Sequence, residues 1–423
     1  MAIADHNAKR NDVVAAPAFP VRSRAFFRRK ASGCPGRCRR EATMGVFLAV
    51  TAVVLCGCSE LRLPRTLRTG AEDWPTLGLD PGRNARVDTA ITPPLVEIWR
   101  AGISAGTGRG SPVFVDGTVF VGTLRGELCA FRARDGVRIG RVSLGNAIDG
   151  SPVITDNNAL VAAAYTGESV IRYDLISGAV VWTTPCGDVE ATPLLLRERV
   201  YVGNTAGQFL CLDYRSGNPL WRFDIPANTM FKGIRSPAAA FDSIIVFGAE
   251  NGNVYALGAG AGSVCWTYAA GEIVVAPPVI DDSLAYVGTS GGSVSALSVR
   301  TGRLLWRTRV DGAVTGSVVV ADHKVIVSTA RGIVYALSDT NGAPVWKTEI
   351  GGPITAGGLV TGGYFYTGTL RRELLALRVD DGSVVWRTQV DGRIKTPPIR
   401  GFGYLFVATD AQELIAFQSK EGR

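Results

Sequence analysis

Apolar and polar residues alternate along many short stretches of this chain, and turns rich in glycine separate the stretches. Within 356–395 the alternating stretches read GGLVT, YFYTGT, ELLALRV and VVWRTQV, with turns at 361–363 and 381–382. Alternation with a period of two and many β-branched residues is typical of strands. Glycine turns of this length join neighbouring antiparallel strands. The pattern therefore predicts a four-stranded antiparallel meander.

The same meander recurs along the chain. An eleven-residue phrase with glycine seventh and tryptophan last is found at 172–182, 211–221, 256–266, 296–306, 336–346 and 376–386, and a copy at 130–140 ends in Gly140 instead. A second phrase lies between these copies. It starts at Ser111, Ser151, Thr192, Ser236, Pro277, Ser317, Ala356 and Thr396. These starts are 40, 41, 44, 41, 40, 39 and 40 residues apart, so the chain contains eight similar units.

Each unit is apolar on both faces and would be marginally stable alone, so we expect the units to pack on one another. Radial packing is typical of this period. Solenoid coils are shorter, and WD40 repeats carry Gly-His and Trp-Asp signatures that this chain does not have. The predicted fold class is therefore all-β, an eight-bladed β-propeller of four-stranded antiparallel blades.

The two ends of the repeat region are complementary. The last phrase, AFQSKEGR at 416–423, stops before any outer strand. LVEIWRAGI at 95–103, in contrast, reads as a strand that belongs to no preceding unit. Pairing the two would close the ring and leave no exposed sheet edge. We therefore expect this N-terminal strand to complete the eighth blade.

Seven tryptophans occupy matching positions, which we expect to start the outermost strand of each blade. They are Trp99, Trp182, Trp221, Trp266, Trp306, Trp346 and Trp386. A large flat ring with one N–H gains apolar burial and a backbone hydrogen bond by packing on a neighbouring blade. The repeated glycine supplies the turn before the outer strand. We therefore interpret these tryptophans as structural, with stacking on a cofactor as the alternative.

The positive charge of the chain is concentrated at its N-terminus. The formal net charge is +8, but residues 1–57 carry ten lysines and arginines against three acidic residues, leaving 35 basic and 34 acidic residues in 58–423. The body is nearly neutral, so no nucleic-acid partner is expected.

Residues 1–57 have the organisation of an export signal. Arginines precede the apolar run GVFLAVTAVVLCG at 45–57, which has the length of a signal h-region and is too short to span a bilayer. The run ends in LCGC at 55–58, which resembles a bacterial lipoprotein signal and predicts acylation of Cys58, although cysteine at 56 is unusual for such a box. A plain signal peptide, or a start misplaced upstream of Met44, is the alternative.

The residue after Cys58 suggests a location. Ser59 is not the aspartate that retains such lipoproteins in the inner membrane, which favours a lipid-anchored protein on the periplasmic face of the bacterial outer membrane. We accordingly divide the chain into a leader (1–57), a linker (58–72) and one propeller (73–423).

Little in the sequence supports metal, redox or histidine chemistry. There are two histidines, and the cysteines after Cys58 have neither an adjacent pair nor Cys-x-x-Cys spacing. These cysteines, which we expect to be buried, are Cys129, Cys186, Cys211 and Cys265. No catalytic residue, metal site or cofactor is predicted.

The repeated phrase resembles the tryptophan-docking motif Ala-x-Asp-x-x-Thr-Gly-x-x-x-Trp of the pyrroloquinoline quinone (PQQ)-type propellers. VRTGRLLW at 299–306 and the stretch 173–182 are among the closest matches, and DWPTLGLDPGRNA at 73–85 resembles the segment that enters such propellers. The resemblance covers 73–423. It implies the fold without fixing the chemistry.

Quinoprotein alcohol dehydrogenases are one group of such propellers. Resemblance to these enzymes implies a quinone bound on the propeller axis, between a tryptophan and a disulfide formed by two adjacent cysteines. It also implies a Ca²⁺ ion beside the quinone and an aspartate that acts as the base. After the blade positions are assigned, this chain has only Trp74 to spare. The loops entering the innermost strands hold Asp149, Glu190 and Glu272, which we interpret as solvated charges rather than catalytic groups.

The BamB family of outer-membrane β-barrel assembly factors is the other group. Resemblance to it implies a lipid-anchored, cofactor-free, non-catalytic scaffold in the periplasm. Its implied partner is the periplasmic part of the barrel-forming subunit, which it would bind through its loops as a monomer within a complex. Strand edges would be offered to unfolded client proteins.

Two local features are candidate sites. The stretch IPANTMFKGIR at 225–235 lengthens its unit by about four residues, and we interpret its exposed-looking Met230, Phe231, Lys232 and Arg235 as a partner loop, with a plain longer loop as the alternative.

A third functional interpretation is a propeller that binds a small molecule or polysaccharide in its central funnel. The residues expected at that mouth are Arg109, Asp149, Glu190, Arg235 and Lys395. Their mixed signs argue against a dedicated anion site.

Overall fold

The computed structural model describes residues 60–68, 70–163, 169–226 and 229–420. The predicted leader and Cys58 lie outside these residues. Within the described ranges the secondary structure consists of 33 strands without an α-helix. A helix long and apolar enough to cross a bilayer is not found in these ranges.

The strands follow the predicted repeat. Two precede the first full blade, β1 (Arg86–Val87) and β2 (Leu95–Gly102). Blade 1 contains β3 (Val113–Val115), β4 (Thr118–Gly122), β5 (Glu127–Arg132) and β6 (Arg138–Ser143). Blade 2 contains β7 (Val153–Thr155), β8 (Asn158–Ala163), β9 (Ser169–Asp174) and β10 (Ala179–Pro185). Blade 3 contains β11 (Leu194–Leu196), β12 (Arg199–Gly203), β13 (Gln208–Asp213) and β14 (Pro219–Asp224). Blade 4 contains β15 (Ala239–Phe241), β16 (Ile244–Gly248), β17 (Asn253–Gly258) and β18 (Val264–Ala269).

The second half of the ring has the same order. Blade 5 contains β19 (Val279–Asp281), β20 (Leu284–Gly288), β21 (Ser293–Ser298) and β22 (Leu304–Arg309). Blade 6 contains β23 (Val319–Ala321), β24 (Lys324–Ser328), β25 (Ile333–Ser338) and β26 (Pro344–Glu349). Blade 7 contains β27 (Leu359–Thr361), β28 (Tyr364–Gly368), β29 (Glu373–Arg378) and β30 (Val384–Gln389). Blade 8 contains β31 (Ile399–Gly401), β32 (Tyr404–Thr409) and β33 (Glu413–Ser419).

The predicted eight-bladed propeller and its closure are confirmed. Strand β2 joins blade 8 as its outer strand, antiparallel to β33, and the register runs from Leu95 opposite Ser419 to Gly102 opposite Glu413. Inner strand β3 contacts both β7 and β31, so the first blade adjoins the second and the last. Apolar side chains fill the spaces between blades. Phe209 of blade 3, for example, stacks on Phe247 of blade 4 with ring centroids 4.1 Å apart.

The tryptophans do not start their strands as predicted. In β30 the strand begins with Val384, opposite Leu377, and Trp386 is its third residue, opposite Ala376. A β-bulge between these two pairs accommodates the extra residue. Because Val384 is already paired before the bulge, the strand begins two residues before the tryptophan.

Six of the seven tryptophans bond to the next blade around the ring. Their indole N–H groups donate to the carbonyl oxygens of Ala133, Tyr214, Ala259, Val299, Asp339 and Val379 at 2.7–3.2 Å. The repeated glycine of that next blade lies on the indole ring. A Cβ added to Gly302 would be 2.6 Å from Cδ2 of Trp266, and Gly302 has a φ of +69°. Glycine is therefore required here both by the close approach and by the backbone conformation.

Blade 1 has Gly140 at the tryptophan position, and the N-terminal segment fills the gap. We call residues 60–68 the strap. A Cβ on Gly140 would lie 3.0 Å from Cα of Leu61, whose side chain is fully buried. The backbone N–H of Leu63 donates to the carbonyl oxygen of Leu175 at 2.7 Å. Leu175 occupies the same repeat position in blade 2 as Val299, the acceptor of the Trp266 indole, does in blade 5. A backbone N–H thus replaces the missing indole N–H, and this part of the segment predicted to be a linker is packed on blades 1 and 2.

Residues 74–91, which we call the plug, run past the inner strands around the propeller axis. An innermost strand has no neighbour on its axial side, so its N–H groups there need other acceptors. The plug supplies them to the middle residue of the inner strand in six blades. These donors are Phe114, Ile154, Ala240, Ile280, Val320 and Val360, at 2.7–3.0 Å.

Arg83 fastens the plug inside the channel. Its side chain is fully buried, and its guanidinium donates to Thr76 Oγ1 and Leu77 O of the plug at 2.8 and 2.9 Å. It also donates to the carbonyls of Pro193 and Ala238, in blades 3 and 4, at 3.2 and 3.0 Å. Burial lowers the pKa of Arg83 to about 10, although Asp80 opposes this shift.

The cysteine prediction is correct for three of the four residues. Cys129, Cys186 and Cys211 are buried, and burial raises the pKa of Cys186 and Cys211 to about 11. Cys265 is exposed, because it is the residue of β18 that precedes the inward-packed Trp266 and therefore points outward.

Candidate functional site

The two faces of the propeller differ. Successive strands alternate in direction, so the connections between blades and the turns between second and third strands share one face, the loop face. The plug lies towards the opposite face. Asn84 donates to Asp281 at 3.0 Å and the Thr361 hydroxyl donates to the carbonyl of Thr89, both where inner strands end away from the loop face.

A central cavity of about 510 Å³ lies among the connections of the loop face. Leu77 of the plug contributes to its wall, together with small residues at the starts of several inner strands. The structure brings all five residues expected at the funnel mouth into this lining. They are Arg109, Asp149, Glu190, Arg235 and Lys395.

Two of the acidic residues are not solvated, contrary to the sequence-based interpretation. Asp149 is 6% exposed and Glu190 is 9% exposed. Both are packed into the cavity wall, and Arg235 forms an ion pair with Glu190 there. Burial raises the pKa of Asp149, although nearby Arg109 opposes this shift. The buried carboxylates are thus compensated by neighbouring arginines.

Glu272 does not line the cavity with the others. Its carboxylate accepts from the Thr289 hydroxyl and from Arg309 Nη1, the latter at 2.6 Å. Burial opposes ionisation, but these hydrogen bonds outweigh it and lower the pKa of Glu272 to about 2. Its role in the structure is to join the blade 4–5 connection to blade 5.

The charges of the cavity are balanced. Arg235 is bonded to Glu190 and Glu250, Lys395 lies 3.2 Å from Asp410, and Arg109 is near Asp149. This balance does not favour a ligand with several carboxylates. Trp74, the tryptophan outside the blade positions, is 1% exposed and bridges to Phe114 instead of lining the cavity. Among the described residues, no group of three or more His, Cys, Asp and Glu is placed to hold a metal ion.

The connection between blades 3 and 4, residues 225–238, presents apolar side chains on the loop face. Met230 is 89% exposed and Phe231 is 61% exposed. Buried Ile225 and Ile234 hold the two ends of this connection. Its exposed tip is therefore attached to the core on both sides.

The other two residues predicted in this loop lie differently. Lys232 is half-buried, and a Cβ on Gly207 would be 2.7 Å from its carbonyl oxygen, so it packs on a turn of blade 3. Arg235 was predicted both as an exposed residue of this loop and as a residue of the funnel mouth; it lies at the cavity, as the second prediction had it, and donates to Glu250 Oε1 at 2.7 Å. Two carboxylates from neighbouring blades draw the guanidinium inward, and burial only partly opposes the rise in its pKa that the hydrogen bond to Glu190 causes.

Sequence reasoning missed Glu250 and Leu77. Glu250 follows the second strand of blade 4, so its position in the repeat would have placed it on the loop face, near the connection that holds Arg235. Leu77 belongs to a segment without a repeat and gave no comparable signal.

The repeats, the closing strand and the axial cavity define a propeller of the PQQ type. Within this class, residues 83–230, 130–272, 210–353 and 330–423 match the profile of the family described as outer membrane protein assembly factor BamB. The chain belongs to this family, and the resemblance inferred from its repeats is confirmed.

A curated relative carries the same description. The outer membrane protein assembly factor BamB of Burkholderia pseudomallei (strain K96243) is 26% identical over 193 residues, which are 40% of this chain and 47% of the relative. The matched region thus spans about half the length of that relative.

Solved structures share the fold. BamB from Moraxella catarrhalis superposes with a TM-score of 0.66 at 18% identity, over 77% of this chain and 99% of that chain. The quinohemoprotein alcohol dehydrogenase from Comamonas testosteroni gives 0.69 at 14% identity, over 82% and 80%. At these identities the likeness shows the fold alone, so it does not choose between a scaffold and an enzyme.

Proposed function

We propose that this protein is a non-catalytic scaffold, anchored by a lipid at Cys58 to the periplasmic face of the outer membrane, that binds a protein partner in outer-membrane β-barrel assembly. Membership of the BamB family supports the assembly role. The observation that carries the binding role is the exposed pair Met230–Phe231 on a loop whose ends are buried.

The physical properties of this loop suit protein binding. Aromatic and methionine side chains are enriched in the energetic centres of interfaces. Buried Ile225 and Ile234 attach the loop to the core on both sides of the exposed pair, so binding costs less conformational entropy than it would for a segment attached at one end. Ile273 is 40% exposed in the neighbouring blade 4–5 connection and adds a further apolar residue to the same face.

The partner is tested by crosslinking and affinity purification of the tagged full chain from membranes, followed by mass spectrometry. We expect recovery of a barrel-assembly subunit above the level obtained with an unanchored Cys58→Ala control. Absence of every barrel component from the wild-type purification would reject the assembly role.

The surface is tested with two matched variants. Phe231→Ser removes an aromatic ring that is 61% exposed on the loop face, and Phe402→Ser removes one that is 58% exposed in the first turn of blade 8, on the opposite face. We expect Phe231→Ser to lower partner recovery several-fold and Phe402→Ser to leave it unchanged. Equal recovery with the two variants would show that this loop is not the binding surface.

A quinoprotein-like enzyme or a ligand-binding propeller is the second candidate, and the axial cavity of about 510 Å³ is the observation in its favour. Titration with pyrroloquinoline quinone and Ca²⁺, followed by quinone absorbance and by dye reduction with ethanol, tests the enzyme. Because the cavity charges are balanced, we expect no saturable binding. Saturable binding that Arg109→Ala abolishes would favour the second candidate.

A further inference from the structure

The first described residues after the predicted lipid attachment site are fixed to the outer rim of the propeller. Glu60 forms a parallel bridge with Arg141 of β6, and Leu61 covers Gly140 in the same strand. The chain has therefore reached the surface of blade 1 by residue 60.

The strap is held by the side chains and the backbone of two blades. The Tyr173 hydroxyl donates to the carbonyl of Leu61 at 2.7 Å, and the N–H of Leu63 donates to Leu175 at the same distance. Leu61 and Leu63 are 0% and 6% exposed. Burial of two leucines and two buried hydrogen bonds make this a structural contact of the kind the tryptophans make elsewhere.

The chain geometry then limits how far the rim can lie from the lipid. Cys58 is two residues before Glu60, and an extended chain spans at most about 7 Å over two residues. We propose that the outer rim of blades 1 and 2 is the surface that meets the membrane, with the opposite rim held away from it. This inference rests on the proposed anchor at Cys58.

The residues around the strap suit a lipid surface. Residues 60–68 and 132–141 carry seven arginines against two acidic residues, and two further carboxylates, Asp116 and Glu127, pair with Arg65 and Arg141. Val137, in the turn before β6, and Val180 of β10 are each 51% exposed. Basic side chains favour an anionic membrane surface. The hairpin of blade 5 at 298–309 has four arginines and no acidic residue, so charge alone would not choose between the two sides of the ring. The short chain between Cys58 and Glu60 selects the rim of blades 1 and 2.

Two matched positions report the orientation. Val181 in blade 2 and Val345 in blade 6 occupy the same repeat position, 45% and 51% exposed, on opposite sides of the eight-bladed ring. Each is replaced in turn by cysteine in a Cys265→Ser background and labelled with a fluorophore. The full chain, produced in a Gram-negative host and purified from its membranes, is reconstituted into phosphatidylethanolamine–phosphatidylglycerol vesicles that contain a lipid with a nitroxide on its headgroup.

We expect nitroxide quenching to be several-fold stronger at position 181 than at position 345. A second protein carries a Gly-Ser insert of about fifteen residues between Ser59 and Glu60, with a root-mean-square reach of about 20 Å, and we expect the difference to disappear there. Equal quenching with the native spacing, or a difference that persists with the insert, would overturn the inference.

Mass spectrometry of the N-terminal peptide separates the two proposals. Acylated Cys58 with equal quenching at both positions would reject the orientation and leave the anchor standing. An unmodified Cys58 would reject the anchor and the orientation together, whereas partner recovery through the loop face would remain a separate result.

Discussion

The indole N–H of Trp266 donates to the carbonyl oxygen of Val299, 2.7 Å away in the next blade. The same ring lies under Gly302, so one side chain supplies both a hydrogen bond and a packing surface to its neighbour. With equivalents at five other blade junctions, this contact makes each blade dependent on the one beside it.

Substitution of Trp266 should separate the two contributions. We expect Trp266→Ala to lower the free energy of unfolding by about 3–5 kcal/mol, because a large buried ring is lost. Trp266→Phe keeps an aromatic ring but leaves the carbonyl of Val299 without its donor, at a cost of about 1–3 kcal/mol. Urea unfolding followed by circular dichroism measures both. A Trp266→Phe protein as stable as the wild type would show that the hydrogen bond contributes nothing.

A glycine that lies on an indole ring can be compared with one that does not. Gly342 and Gly363 both have positive φ, +70° and +78°, but a Cβ on Gly342 would be 2.5 Å from Trp306, whereas a Cβ on Gly363 would meet nothing within 4 Å. Alanine at either position bears the left-handed backbone cost of about 1–2 kcal/mol. We expect Gly342→Ala to lose about 1–3 kcal/mol more, from overpacking. Equal losses in urea unfolding would argue against the close approach.

The strap should contribute to stability as a tryptophan does. We expect Leu61→Ala to lower the free energy of unfolding by about 2–5 kcal/mol, since the side chain is fully buried. Thr66→Ala, in the exposed part of the same segment, should change it by less than about 0.5 kcal/mol. Similar values for the two variants would mean that the strap is not part of the core.

Restoring the absent tryptophan should displace the strap. Gly140→Trp places an indole where Leu61 lies, so the two compete for one site. We expect trypsin to cleave after Arg62 and Arg65 faster in this variant than in the wild type, while the near-ultraviolet circular dichroism remains that of a folded protein. Unchanged cleavage rates would show that the position accepts no indole or that the strap is held elsewhere.

The lowered pKa of Glu272 predicts a dependence of stability on pH. Its folded-state pKa of about 2 is below the usual glutamate value, so its contribution to stability is present at neutral pH and is lost as the pH falls through the range from about 4.5 to 2. Glu272→Gln should therefore be less stable than wild type at pH 7, and the difference should narrow at pH 3. A constant difference for Glu272→Gln would contradict the assignment.

The sequence was informative wherever the structure repeats. A strand, a glycine turn and a tryptophan at a constant spacing predicted the blades, and the unpartnered strand at 95–103 predicted the closure. Both features depend on the pattern of side chains, which the sequence shows directly. The start of each outer strand was misjudged, since the bulge before Trp386 adds a residue that no periodicity reveals.

The plug and the strap could not be foreseen from the same signals. Each occurs once, and many of their contacts use backbone atoms, as in the bond from the N–H of Ile280 to the carbonyl of Gly82. Such contacts leave no requirement on the side chain. The pairing of Arg235 with Glu250 was missed for another reason, because this carboxylate comes from a different loop, fifteen positions later in the chain.

The pairing of Leu95 with Ser419 also sets the order in which the ring can be completed. The N-terminal strand is synthesised first and has no partner until the last strand follows. Until then β2 has an open edge, and the last strand of a second copy whose own ring has not yet closed can pair with it. At high local concentration such strand exchange competes with closure of the single ring.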